Sequence, residues 1–213
     1  MSKTFKKKRI ISLSAIILIL ILLVGAVCIY YFGKKYDFYN YSQAEVKIPG
    51  LNDGFIPQGL CTIDSTNGYL ISGYMKDTNS PSRVYYVNKD GVSKYVLIDT
   101  LSTNLNNGHF GGVAMYDEMV YLVSDGYLFN FSISDILNAQ NGDLIISLNF
   151  YETKINTDFC YARDGILYIG EFYKPKKYEV DKTHYVKISD TETNHGITLC
   201  YNIDTSKDSG LAD

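Results

Sequence analysis

The sequence predicts an all-β chain, a partial β-propeller of about three four-stranded antiparallel blades, after one N-terminal transmembrane helix. Three observations carry this. First, one strand grammar recurs at residues 55–73, 108–126 and 156–170: a turn-like entry, a short apolar run, a polar turn and a second apolar run. Copies at a spacing of about fifty residues mark a repeat architecture built from small sheets. Second, these runs are mostly continuous rather than alternating, as strands read when both faces of their sheet are covered. A plain β-sandwich, whose outer faces alternate more cleanly, is the competing architecture. Third, residues 10–32 contain no charged side chain.

That uncharged run is 23 residues long. At 1.5 Å per residue it reaches about 34 Å, enough for a hydrocarbon layer of about 30 Å. Lys3, Lys6, Lys7, Lys8 and Arg9 precede it and only Lys34 and Lys35 follow closely. The positive-inside bias therefore predicts a single-pass cell-membrane protein with residues 1–9 as a cytoplasmic basic tail, 10–32 as a signal anchor and everything beyond outside the cytoplasm. Tyr30, Tyr31, Phe32, Tyr36, Phe38, Tyr39 and Tyr41 read as an outer aromatic belt. A cleaved signal peptide is the rival reading, but its apolar core is usually shorter. A lipid attached at Cys28 is disfavoured because Val27 precedes it where a small residue is wanted.

Removing the five basic residues of the tail leaves 15 basic against 23 acidic residues, a balance of −8 for the rest. Nucleic acid is thereby excluded as a partner, since phosphate binding needs a basic surface. Twenty Tyr, ten Phe and no Trp favour strands over helices.

Residues 33–54 read as a stalk, with one strand expected at 44–48 and a Pro49-Gly50 turn. The propeller repeats then occupy 55–213. The first copy has strands at 55–63, 69–72, 83–87 and 94–98, with Asn67-Gly68 and Asp90-Gly91 as turns. The second has strands at 112–115, 120–124, 127–133 and 144–148, with a helical turn at 134–139 capped by Ser134. The third has 158–161, 166–169 and 197–203, separated by the long polar excursion 171–196. Three copies do not close a ring, so a longer native chain is expected, with self-association as the alternative.

In such an array the strand entries and the second-to-third-strand loops share one rim, and convergent polar groups at a mouth define a binding site. That places Gln58, His109, Asp158, Glu171 and His195 at the rim, on loops that also bring Asp125-Gly126 and His184. Asp190, Glu192 and Asn194 alternate but lack the spacing and glycine of a calcium loop. Cys61 and Cys160 stand at equivalent places, where the second copy has Ala114, which reads as a small buried side chain. No recognised catalytic or nucleotide motif occurs, so no catalytic residue or metal is assigned and the cofactor is unknown.

Pro57-Gln58-Gly59-Leu60 and the run from His109 to Ala114, with the strand pairs after them, resemble bacterial exported β-propellers of the quinoprotein-like and gluconolactonase-like group. The resemblance covers residues 55–205 and implies a propeller fold. Lactonases of that group place a metal-binding Glu-Gly at the first entry, where this chain has Gln58-Gly59. Glutaminyl cyclotransferase propellers resemble it at Phe55, Gln58-Gly59-Leu60 and Phe110-Gly111, but use a Glu on the next strand and pocket tryptophans. This chain has Ile71 or Ser72 there and no Trp. The expected function is therefore that of an extracytoplasmic module binding a small molecule or a cell-surface protein. The alternative is a lactonase-like or cyclotransferase-like hydrolase or lyase whose site is completed by further blades.

Overall fold

The computed structural model describes residues 2–39, 46–99, 107–147 and 149–212, with helix side chains described for 15–33. The chain divides into two compact units, Met1–Val46 and Lys47–Asp213.

The first unit contains helix α1 (Ser2–Tyr39). Its segment Ala15–Gly33 has a mean hydropathy of 2.9 and none of it is buried within the molecule. Leu22 is 65% and Ile29 75% exposed, a poor arrangement in water and a good one in hydrocarbon, where a helix satisfies its own backbone. This is one apolar helix long enough to cross a membrane. Tyr30 and Tyr31 meet edge-on at 5.9 Å at its far end. The side chains of Tyr36, Phe38 and Tyr39, and all of Tyr41, lie outside the described residues.

The second unit is β-rich. Of the strand expected at 44–48, Ala44 and Glu45 lie outside the described residues, and 46–48 has no regular structure. Next come β1 (Phe55–Ile63), β2 (Gly68–Met75), β3 (Arg83–Val87) and β4 (Ser93–Asp99), which pair antiparallel in sequence order. β5 (Gly112–Tyr116), β6 (Met119–Ser124) and β7 (Tyr127–Ser132) begin a second sheet in the same way. Helix α2 (Ile133–Asn138) follows and buries Ile133 and Ile136. Its cap is Ser132 rather than the expected Ser134. Ser132 keeps extended backbone at the end of β7 and shares a capping box with Asp135, whereas Ser134 already lies in the first turn.

The next strand departs from expectation. β8 (Leu144–Ile146) leaves the second sheet and pairs in parallel with β4, through Leu97 with Leu144 and Asp99 with Ile146. β9 (Asn149–Glu152) takes the fourth place beside β7 instead; Leu148, the expected strand end, lies outside the described residues. The cause is the turn at 141–143. Asn141 Oδ1 accepts from Tyr95 N at 3.0 Å and Gly142 N donates to Tyr95 O at 2.8 Å, which directs the chain onto β4. A third sheet has the order β10 (Thr157–Arg163), β11 (Ile166–Glu171) and β14 (Thr198–Asn202). Between β11 and β14, the excursion carries a 3-10 turn (Lys182–His184) and the small hairpin of β12 (Val186–Lys187) and β13 (Thr193–Asn194).

Two cores separate the three larger sheets. Ile63, Leu70, Val84 and Val96 of the first sheet meet Val120, Leu122, Phe129 and Phe131 of the second. Tyr121, Val123 and Leu128 of the second meet Leu167 and Ile169 of the third. β6 thus sends alternate side chains into different cores, which is why its sequence reads as unbroken apolar residues. Each such buried side chain stabilises by about 1.5–3 kcal/mol. β1 and β10 do alternate: Gln58, Leu60 and Thr62, and Phe159, Tyr161 and Arg163, are exposed. The first strands of the sheets nearly touch. A Cβ at Gly59 would stand 2.7 Å from Val113 N, and one at Gly112 would strike Cys160 N, so only glycine permits this backbone approach.

Candidate functional site

Close approach of β1, β5 and β10 brings their entries together. The buried Phe110 anchors the middle entry with φ +48, a conformation bulky residues seldom adopt. Two serines hold it. Ser72 Oγ donates to Phe110 O at 2.9 Å, and Phe110 N donates to Ser124 Oγ at 3.2 Å. Ser124 Oγ in turn donates to Asp125 Oδ2 at 2.6 Å. His109 is thereby set against Asp125, with its backbone N–H on Oδ2 at 3.0 Å and ring Nδ1 on Oδ1 at 2.9 Å. Tyr74 packs edge-on to the imidazole at 5.1 Å.

The neighbouring entry contributes Asp158, whose Oδ2 accepts from Phe172 N at 3.2 Å. The two aspartates are pushed in opposite directions. Burial raises the Asp158 carboxyl above its ordinary value, the charges of Asp125 and Glu171 add to this, and the Phe172 N–H and His109 only partly offset it. Burial acts on Asp125 too, but the hydrogen bonds from Ser124 and His109 together outweigh it, so that carboxyl is held low.

Glu171 ends β11 with its side chain only 2% exposed. Its oxygens lie 3.1 and 3.0 Å from His184 Nδ1, and Oε2 also accepts from Ile197 N at 3.1 Å. His184 is brought there by the 3-10 turn, which Asp181 caps through Thr183 N at 2.8 Å. A cleft of about 390 Å³ is lined by Asp125, Tyr127, Lys154, Glu171, Glu179 and His184, among others. This lies within the usual range for small-molecule sites.

The expected rim residues thus divide. His109, Asp158 and Glu171 share one electrostatic neighbourhood with Asp125. Gln58 is exposed, and its amide donates to the carbonyl of its own neighbour Pro57 at 3.0 Å. His195 is stacked on Tyr173, 4.1 Å apart and 8° from parallel, with Tyr185 edge-on at 4.4 Å. Burial, with Tyr173 and Glu179 beside it, pushes the Tyr185 hydroxyl up to about 12, so that hydroxyl keeps its proton.

In the sequence, Asp125 and His184 stand out only as members of loops. Ser124-Asp125-Gly126 carries an ordinary hairpin signature, which hides the carboxylate that meets His109. Nothing in the sequence pairs His184 with a residue thirteen positions away. Asp190 pairs with Lys187 at 3.0 Å, and among the described residues no cluster of three or more His, Cys, Asp or Glu side chains is placed to hold a metal. Burial pushes the Cys61 thiol up to about 12 and the Cys160 thiol higher still, which leaves neither as a nucleophile.

No family model matches the chain, and no curated protein or solved structure matches it either.

Proposed function

We propose that this chain is a membrane-anchored, extracytoplasmic binding module whose stacked sheets are blades of a β-propeller and whose rim takes a small ligand. One observation carries the reading. His109, Asp125, Asp158 and Glu171 act on one another electrostatically where the first strands converge, beside a cleft of small-molecule size. The anchor in this reading is the apolar helix α1, with the basic cluster at its start on the cytoplasmic side. The resemblance to exported propellers adds fold, not chemistry.

The test has two parts. Protease added outside intact cells should digest the domain and spare the N-terminal tail; protection of the domain until the cells are opened overturns the topology. A metabolite library screened by thermal shift on the full chain in detergent should yield ligands that stabilise it. The combined variant His109→Ala, Asp125→Asn and Asp158→Asn should lose that stabilisation at least tenfold in apparent affinity. Undiminished binding by this variant removes the rim from the proposal.

A further inference from the structure

We infer that His184 is the general base of a hydrolytic centre in this cleft, oriented by the buried Glu171. The inference shares the cleft with the binding reading and rests on it for location, but adds an activity.

Among the described residues the Glu171 carboxylate is engaged only by donors, the ring of His184 and the backbone N–H of Ile197. A carboxylate held this way accepts, so the hydrogen sits on Nδ1 of His184. A neutral imidazole with its hydrogen on Nδ1 carries its lone pair on Nε2. Among the described residues no hydrogen bond is made to that atom, and His184 lines the cleft. A base oriented by a third group is the geometry of acid–base catalysis. As a simple tether for the excursion, by contrast, the pair is a poor choice. Its partners are 17% and 2% exposed, and an apolar contact would close the loop without desolvating a charge.

The lining indicates the substrate. Asp125, Glu152, Glu179 and Asp181 face the cleft against one lining lysine, Lys154, so a cationic substrate is favoured. Water is the second reactant. His184 Nε2 takes a proton from water as its oxygen bonds to the acyl carbon of an ester, and the carbonyl electron pair moves onto oxygen. The tetrahedral adduct collapses, the bond to the leaving oxygen breaks, and that alkoxide recovers the proton from Nε2. Glu171 stabilises the imidazolium between the two transfers. Nothing is oxidised or reduced, and no further reactant is consumed.

The test uses the full chain in detergent with acetylcholine and its uncharged isostere 3,3-dimethylbutyl acetate, followed by acid release. Hydrolysis is expected, with kcat/KM at least tenfold higher for the cationic ester. His184→Gln should lower kcat about 100-fold or more, and Glu171→Gln about tenfold. A separate readout is independent of how the variants fold: nitrogen-15 spectra of the wild-type imidazoles should show His184 protonated at Nδ1. Absence of turnover, turnover unchanged in a folded His184→Gln variant, or a proton found at Nε2 each overturns the inference. A ligand that binds without being hydrolysed leaves the binding reading standing and removes this one.

Discussion

Two histidine–carboxylate pairs stand on one side of this domain with nearly the same separation, 2.9 Å for His109 and Asp125 and 3.0 Å for His184 and Glu171. Their surroundings differ. The first pair's side chains are 58% and 49% exposed, the second's 17% and 2%. Solvent screens the first, so its attraction is worth little, while its ring is free to meet a ligand. The second has given up its hydration, and each partner depends on the other. Equal distances therefore conceal unequal energies.

Removing one partner of the buried pair should have the largest effect. Glu171→Ala strands His184 Nδ1 and Ile197 N and should cost about 3 kcal/mol. For a domain of this size that is a fall of about 6–12 °C in melting temperature by calorimetry. A fall below about 2 °C would show that the pair carries no structural weight.

An intermediate effect should come from the two aspartates, with opposite signs. The folded state holds Asp125 low, so its contribution is present above the ordinary carboxylate value of about 3.9 and is lost as pH falls through the lower folded value. Asp158 is raised, so folding favours its protonated form. Its contribution is present below about 3.9 and is lost as pH rises through the folded value. At pH 7.5, Asp158→Asn should therefore raise the melting temperature by about 1–3 °C and Asp125→Asn should lower it similarly. Near pH 3 the Asp158→Asn gain should disappear. Shifts of the same sign for both variants at pH 7.5 would contradict the arrangement.

The smallest effect should be that of His109→Ala. Its loss should be below about 1 kcal/mol at low salt and should vanish in 1 M NaCl, where charges are screened within about 3 Å. A salt-independent loss would mean that the exposed pair resembles the buried one after all.

Much of the strand pattern was legible in the sequence, because turns are written locally. Asn67-Gly68, Asp90-Gly91 and Asp164-Gly165 each mark a reversal between strands that do pair. Pairing between distant strands was not legible. Residues 144–146 carry the same apolar character whether they join β7 or β4, and the choice is made by hydrogen bonds to Tyr95. The candidate site's geometry was half legible. His109, Asp158 and Glu171 follow from strand ends, because the repeat grammar fixes where an entry or a strand terminus lies. His184 does not, since its position depends on the fold of an excursion without repeat grammar. The stacking of His195 on Tyr173, with Tyr185 edge-on, was invisible for the same reason.

The detour of residues 144–146 also has a consequence for biogenesis. β4 acquires its outer neighbour only after β5, β6, β7 and α2 have been synthesised. Until then its edge is an open template for any passing strand. A nascent chain thus exposes that edge for more than forty residues of synthesis, and closing it staples one sheet to the next. A holdase would have the greatest benefit there, and a stalled or clipped chain ending before Leu144 should aggregate.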